Sequence, residues 1–557
     1  MQKPSQIDSK FSTYAILGVI FFIVLLDQTL NRIYFSRPDS FLGFFSMPPK
    51  EWLWYFKDTV AWTSILSAPF FLFGGKARFI YYILLPIFIL CEAIAAFAWG
   101  NFKMQLDGDW IGIVLGSSPS ELNLFISHYA GWGFFLTTAF VLALASRTVT
   151  IAQKTKNVEK SKSKTRIGYA AALVFCTLLP VFYSPSIAFK TSPVILLISD
   201  SISNFCHYKR MAKMKKTPKI PDVISIADNV DASCYGVFIL GESATRNHWS
   251  LYGYSRKTTP RIDAFKDELT VFTDLVTPIS NTAKAMELIF TMSNMDKPDK
   301  PICTYSQMLK EAGFYVSLYS SQSRWGRWDG TESFIFAGCE PLLFMDEENL
   351  TNPWYDNVLL KYLDKDLKSH PLDKPSVTIL HLRGSHFPAD AHYPSDKKPK
   401  ALEDFIASQP TQNIDTNTYD NSIFYTDIIL GESLERLKKK GGPAWMIYLS
   451  DHGDSIGEGS WRLVNDRNVW EVPMIIWLSE DYKKKFPKVA QAVHDAAQKP
   501  LQSDQLLQGF LQIAGLKGWE IGSEKDFLSD DFKPRFPRLI EGGKLEYKWS
   551  LIQSAHN

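Results

Sequence analysis

Apolar residues are spread unevenly along this 557-residue chain, and the unevenness constrains its architecture before any motif is read. Five apolar stretches, at about 13–31, 58–75, 78–99, 129–147 and 167–188, crowd into the first part of the sequence. Crossing the hydrocarbon core of a bilayer as a helix takes about 20 apolar residues, and each stretch reaches or approaches that length. The second is the weakest, being short and carrying several small polar residues. The first lacks a small-residue cleavage site and is followed by four more spans, so it reads as a retained anchor and not a signal peptide. A five-helix transmembrane domain over residues 1–190 is the expectation.

Basic residues orient it. Lys76 and Arg78 lie between spans two and three, and the connection at 147–166 is crowded with Lys and Arg against a single acid, Glu159. By the positive-inside rule these loops and the N-terminus, with Lys3 and Lys10, face the cytoplasm. Five spans then place everything after about residue 190 on the far side, in the periplasm if the cell is a bacterium with two membranes. A net charge of +2 gives no reason to expect nucleic acid as a partner, and 16 Trp fit aromatic belts at a membrane interface. Residues 191–222 form a juxtamembrane linker. Its apolar run followed by basic residues over 193–216 suits either an interfacial helix or a plain basic tether. Pro218 and Pro221 mark the entry to an exported domain, 223–557.

In that domain short apolar runs at 235–240, 315–320, 376–382, 444–450 and 472–478 alternate with helical patterns at 305–312 and 419–440. The second helix ends in Lys438, Lys439 and Lys440 before Gly441 and Gly442, a stop signal. Strands alternating with helices predict an α/β fold, a mixed sheet between helices, with ligands at the carboxyl ends of the strands. Cys206, Cys234, Cys303 and Cys339 fall in the exported part, where disulfides can form, and Cys303–Cys339 is the favoured pair. Cys91 and Cys176 fall inside spans, and no Cys-x-x-Cys suggests a cysteine metal site.

The chemistry sits in three short elements. Glu242 follows the 235–240 run, Asp451 and His452 follow 444–450, and Thr282 lies in a hydroxyl-rich stretch with Thr277 and Ser280. A carboxylate, a hydroxyl and an Asp-His pair are the oxygen and nitrogen donors that a borderline ion such as zinc accepts. A Thr oxygen next to such an ion becomes a nucleophile at neutral pH. Each residue also has a plainer reading. Glu242 suits the start of a helix, and Thr277, Ser280 or Thr282 suits a helix cap. His248 and His392 read as surface residues, Lys284 and Arg246 as solvated charges, and Asp420 as a cap. Tyr425 reads as a packing residue.

Five runs, taken in order, resemble the bacterial phosphoethanolamine transferase family of the alkaline-phosphatase/sulfatase superfamily. They are GESATRNHWSLYGYSRKTTP at 241–260, SNTA at 280–283, HLRGSH at 381–386, YDNSIFYTD at 419–427 and LSDHGDSIGE at 449–458. With the five spans, the resemblance covers nearly the whole chain. It implies an alkaline-phosphatase-like exported domain in which Glu242, Thr282, Asp451 and His452 hold a catalytic Zn2+ and Thr282 is the nucleophile. It implies phosphatidylethanolamine as donor and a lipopolysaccharide or other periplasmic glycan as acceptor, through lipid A, heptose, Kdo or glucan hydroxyls. His386 would bind the phosphate or a second ion, with His381 supporting it. In the exported loop between spans three and four, Ser117 and Glu121 fill two family positions and Ile113 replaces an Asn. Glu121 would pair with the ethanolamine ammonium.

This sequence departs from the family between the Asp-His-Gly segment and the next strand. The stretch 459–470 has no histidine, which makes a second ion less expected and leaves Arg462, Asn465 or Arg467 as phosphate contacts. The SLYGY form and the Trp325-Gly326-Arg327-Trp328 stretch lean toward core-sugar acceptors. A glycerolphosphate transferase of the lipoteichoic-acid-synthase type is the alternative enzyme, and an inactive membrane scaffold the alternative without turnover. Sulfatase chemistry is not expected, because no Cys or Ser sits in a Cys-x-Pro-x-Arg context.

Overall fold

The computed structural model describes residues 225–226, 233–296, 303–322, 334–345, 354–369, 374–396, 398–410, 414–456, 466–517, 523–543 and 545–548. The chain divides into two units, Met1–Cys206 and His207–Asn557, and every described residue belongs to the second. The five expected spans, the linker, Ser117 and Glu121 lie outside the described residues. Among those described, no helix is long and apolar enough to cross a membrane.

A seven-stranded sheet organises the domain. Its strands are β1 (Tyr235–Gly241), β2 (Leu269–Phe272), β3 (Tyr315–Ser320), β4 (Leu342–Phe344), β5 (Ser376–His381), β6 (Ala444–Ser450) and β7 (Met474–Leu478). In space they run β2-β7-β6-β1-β5-β3-β4. From β6 to β4 the neighbours are parallel, whereas β7 is antiparallel to both β6 and β2. The sheet is therefore mixed, as expected, and five of its strands match the apolar runs. β2 and β4 are the two that the sequence pattern did not announce, being short strands at the two edges.

Central strands of a parallel sheet are covered on both faces and read as continuous apolar runs. β1 is buried at all seven positions, and its side chains alternate between two cores. Phe238 and Leu240 join one apolar cluster with Ile447 and Leu449 of β6. Tyr235, Val237 and Ile239 join the other with Met446 and Tyr448. The first core is closed by α1 (Thr282–Phe290), α2 (Tyr305–Glu311) and α5 (Leu507–Ala514), and the second by α3 (Val358–Ser369) and α4 (Ile414–Lys440). Tyr425 packs in the second core, as its pattern predicted. Removing the side chain of a buried aromatic such as Phe238, which meets Phe290 and Phe510 edge to face, would cost about 3–5 kcal/mol.

The expected Cys303–Cys339 bridge is absent. Both residues are unbridged thiols buried in the first core, where a thiol packs as a small apolar group. Burial pushes the Cys303 thiol up to about 12, so neither exchange nor metal binding is favoured there.

Candidate active site

Parallel strands end on the same edge, and the register here aligns three ends at one level. Leu240 of β1 lies opposite His381 of β5, and Gly241 lies opposite Ser450 of β6. The residue after each strand thus emerges on the carboxyl edge, which puts Glu242 beside Asp451 although 209 positions separate them in sequence. Glu242, Asp451 and His452 are fully buried, and their ligand atoms lie within 4.8 Å of one another.

The loop at Glu242 is held by several bonds at once. Ser243 has φ +55°, a left-handed conformation uncommon for any residue with a side chain. Such a conformation costs about 1–3 kcal/mol and persists only where the surroundings enforce it. Here the Ser243 amide donates to Asp451 Oδ1 at 3.1 Å and its hydroxyl to Glu242 Oε1 at 2.8 Å. Its carbonyl accepts the Tyr419 hydroxyl at 2.8 Å. From the other side Gly384, at φ +53°, brings the turn after β5 against Glu242, where a Cβ would meet the Glu242 carbonyl at 2.7 Å. Ser385 N donates to that carbonyl at 2.9 Å. Buried Asp356 pins the same turn by accepting the amides of Arg383 at 2.8 Å and Gly384 at 3.0 Å.

Thr282 arrives from α1. Asn281 caps that helix, its side chain accepting from Lys284 N at 3.1 Å, so the cap is an amide and not one of the three hydroxyls considered. Thr282 is thereby the first helical residue with its hydroxyl uncommitted to capping. Thr282 Oγ1 lies 3.1 Å from Glu242 Oε1 and 3.2 Å from His452 Nε2. His452 Nε2 is also 3.4 Å from Glu242 Oε1 and 3.3 Å from Asp451 Oδ2. Nδ1 of His452 meets the Gly453 carbonyl at 2.8 Å, so it carries the proton and leaves the Nε2 lone pair facing the cluster.

These spacings fit a divalent ion. Tetrahedral zinc with bonds of about 2.0 Å holds its ligand atoms roughly 3.3 Å apart, close to the 3.1–3.4 Å of the Thr282–Glu242, Thr282–His452, His452–Glu242 and His452–Asp451 pairs. Two buried carboxylates, a hydroxyl and an imidazole lone pair form a donor set suited to it. All four residues of the expected metal and nucleophile set therefore meet at one point.

The histidines after β5 are placed separately. His381 is buried, with Nδ1 3.1 Å from Ser320 Oγ, and burial lowers it to about 3, so it is neutral. His386 follows in the loop, its Nδ1 donating to the Phe387 carbonyl at 2.7 Å and leaving Nε2 as the acceptor. Its ring centroid is 5.9 Å from that of His392. His392 is buried and not at the surface, and burial, with Arg383 and His386 nearby, holds it well below the ordinary imidazole range.

Other plain readings change as well. His248 is nearly buried, with Nδ1 2.7 Å from Asp420 Oδ1. Asp420 sits inside α4 and not at its cap, also accepting from Arg256 at 2.7 Å and Tyr254 at 3.0 Å. Arg246 is buried, 3.2 Å from Glu471. Arg467 grips the same carboxylate through Nε at 3.1 Å and Nη2 at 2.9 Å, which commits it to an ion pair. Arg462 and Asn465 lie outside the described residues. Ser243, Tyr419 and Asp356 were not singled out from sequence, because a role exerted through backbone pinning leaves no spacing pattern.

Comparison with known proteins agrees with this geometry. Residues 235–516 match the Sulfatase family model. The chain is 32% identical over 261 residues to the phosphoethanolamine transferase EptA of Helicobacter pylori, which covers 45% of this chain and 48% of that one. It is 30% identical over 281 residues to the Kdo(2)-lipid A phosphoethanolamine 7''-transferase of Escherichia coli, covering 47% of each. The chain thus spans about half the length of these curated relatives. Among solved structures, the integral membrane protein lipooligosaccharide phosphoethanolamine transferase A of Neisseria meningitidis shares the fold. Its TM-score is 0.66 at 20% identity, covering 92% of this chain and 98% of that one. Because the family match takes in half of the chain and every strand of the central sheet, the chain belongs to the sulfatase family of the alkaline-phosphatase superfamily.

Proposed function

We propose that this protein is a zinc-dependent phosphoethanolamine transferase of a bacterial inner membrane, with residues 1–190 spanning the membrane and the catalytic domain, 223–557, in the periplasm. It takes phosphoethanolamine from phosphatidylethanolamine and passes it, through a phosphothreonine-type intermediate, to a lipopolysaccharide or related glycan acceptor. The observation that carries this reading is the position of Thr282 Oγ1, within 3.2 Å of both Glu242 Oε1 and His452 Nε2. The relatives named as phosphoethanolamine transferases support it.

Glu242, Asp451, His452 and Thr282 would hold the zinc. When bound, zinc supplies a positive charge that favours the alkoxide form of a hydroxyl and offsets charge on phosphoryl oxygens. The residues of the chain do the rest. Glu242 Oε1 orients the Thr282 hydroxyl by accepting from it. Thr282 Oγ1 attacks phosphorus, forming a P–O bond as the bond to the glycerol oxygen breaks, and diacylglycerol leaves with a proton. An acceptor hydroxyl then attacks the same phosphorus and displaces Thr282, whose oxygen takes back a proton in place of the one the acceptor loses. Thr282 opens α1, so the positive end of that helix would favour an anion bound beside the hydroxyl. His386, when protonated on both ring nitrogens, would donate from Nε2 to a phosphoryl oxygen, and His381 would steady the strand from which its loop departs. Ser117 and Glu121 are the proposed headgroup contacts, with Glu121 against the ammonium.

The test is the mass of the Thr282 peptide after purified protein is incubated in vesicles holding phosphatidylethanolamine and phosphatidylglycerol. A phosphoethanolamine adduct that disappears in Thr282→Ala is the expected result. A glycerolphosphate adduct would move the protein to the lipoteichoic-acid-synthase type of reaction. No adduct together with no diacylglycerol release would favour a scaffold.

A further inference from the structure

The far end of the nucleophile helix opens on a second cavity, of about 340 Å³, outside the site described above. α1 begins at Thr282 and its last residue is Phe290. At 1.5 Å per residue, Thr291 in the cavity wall lies about 13 Å along the helix from Thr282. Small-molecule sites run upward from roughly 300 Å³, so this one suits a compact ligand such as one sugar unit.

Its lining carries unsatisfied hydrogen-bonding capacity. Ser293 Oγ, Asp504 Oδ1, Gln505 Oε1 and Gln508 Oε1 are buried side-chain oxygens without a hydrogen-bond partner. Ser293 is 1% exposed and Gln508 7%, and the Asp504 side chain is fully buried. Burying such a group unpaired costs about 1–3 kcal/mol each. Four in one cavity is a concentration that a ligand rich in donors would relieve. The other Asp504 oxygen is already engaged, accepting from Met295 N at 2.9 Å and Arg535 Nη1 at 2.5 Å. The C-terminal end of α1 adds partial negative charge, which again favours a donor.

The charge and the mouth decide the class of ligand. Asp296, Asp504 and Glu524 in the lining are matched by Lys525, Lys533 and Arg535, and Arg535 bridges Asp504 to Asp296 at 2.9 Å. No net field selects a cation or an anion. Phe536, which lines the cavity, is 66% exposed and so presents a ring face to an arriving ligand. An aromatic face attracts the weakly positive C–H groups of a sugar ring, just as it prefers the positive edge of another ring.

We propose that this cavity is a subsite for a neutral sugar. The sugar's hydroxyls donate to the side-chain oxygens of Asp504, Gln505 and Gln508, and its C–H face lies on Phe536. The inference stands without the transfer reaction. If that reaction is as proposed, the subsite would hold part of a glycan acceptor away from the reacting hydroxyl.

The experiment is saturation-transfer NMR on the full-length, zinc-loaded protein in detergent, with D-glucose, D-galactose, glucose 1-phosphate and ethanolamine phosphate as separate probes. The expected result is transfer to the neutral sugars, cut at least fivefold in Gln508→Leu and in Phe536→Ser and unchanged in Thr282→Ala. Phe536→Ser alters an exposed side chain, so it keeps the test valid if Gln508→Leu fails to fold. Three results would overturn the proposal: no transfer to either neutral sugar, transfer confined to the phosphorylated probes, or transfer unaffected by Phe536→Ser. Diacylglycerol release, measured in parallel, reports on the catalytic reading separately.

Discussion

Two buried acidic clusters in this domain handle charge in different ways. Glu471 is surrounded by cationic and hydroxyl partners. Arg246 and Arg467 pair with it, and the Tyr547 hydroxyl donates to it. Burial works to raise this carboxyl, but the two guanidinium groups and the Tyr547 bond hold it below the usual range. Around Glu242 and Asp451 the partners seen are hydroxyls, backbone amides and an imidazole. None of these carries a full positive charge while His452 is neutral. Placing two carboxylates side by side in a buried site is expensive, and a divalent ion held by Glu242, Asp451 and His452 would offset their charge. The contrast is between a carboxylate held by guanidinium groups and carboxylates gathered with an imidazole in a donor set that suits a metal ion.

The largest expected effect breaks the catalytic side of that contrast. Thr282→Ala should reduce phosphoethanolamine transfer by on the order of 10⁴-fold or more, as loss of a nucleophile does, while zinc measured by mass spectrometry falls only partly. Transfer surviving within tenfold would remove Thr282 from its proposed role. Next comes Asp451→Asn, which takes away one carboxylate. Zinc should be lost from the purified protein, and activity should drop further than the ~100-fold typical of a group behind a ligand. Full zinc content in this variant would mean that the ion sits elsewhere.

Chelation should lower the thermal midpoint, because an ion that binds only the native state stabilises it by mass action. The shift measured by calorimetry should vanish in Asp451→Asn. The structural cluster should behave in the opposite way. Glu471→Gln should destabilise the domain by roughly 3 kcal/mol in urea, the lower end for breaking a buried pair because Arg467 is part-exposed, and leave zinc content unchanged. Zinc loss in that variant would show the two clusters to be coupled.

The last expected effect is a pH dependence, absent at neutral pH and growing only in acid. His381 is depressed to about 3 by burial, so the unfolded chain binds a proton more readily than the native state does. Its contribution to stability is complete above about pH 6.5, the ordinary imidazole value, and is lost as pH falls from there toward 3. Stability of the wild type minus that of His381→Gln should therefore shrink across this window. A difference independent of pH would mean that His381 titrates normally.

Much of this was legible in the chain. Continuous apolar runs bounded by polar residues marked five of the seven strands, because a strand covered on both faces must be apolar throughout. β2 and β4 escaped notice because edge strands of three or four residues lack room for a pattern. The chemistry of Glu242, Asp451 and His452 was readable because ligands gather where parallel strands end, and each residue follows such a strand directly. Thr282 follows none, and three hydroxyls competed for its role until Asn281 took the cap.

Tertiary structure decided what spacing could not. The register of β1 against β6 brings Glu242 within reach of Asp451, and the helix start at Asn281 aims the Thr282 hydroxyl at Glu242 and His452. Asp420 and Arg246 looked like a cap and a solvated charge, since a polar side chain carries no mark of burial; only the packing of α4 and the nearness of Glu471 made them internal. The Cys303–Cys339 expectation failed for a related reason, as cysteine counts give possible pairings and the apolar core decides which thiols stay single. Sequence by itself determined which chemical groups stand at the ends of which strands, because local pattern dictates local structure. Which of those groups meet was left to sheet register and helix packing, which depend on contacts between residues hundreds of positions apart.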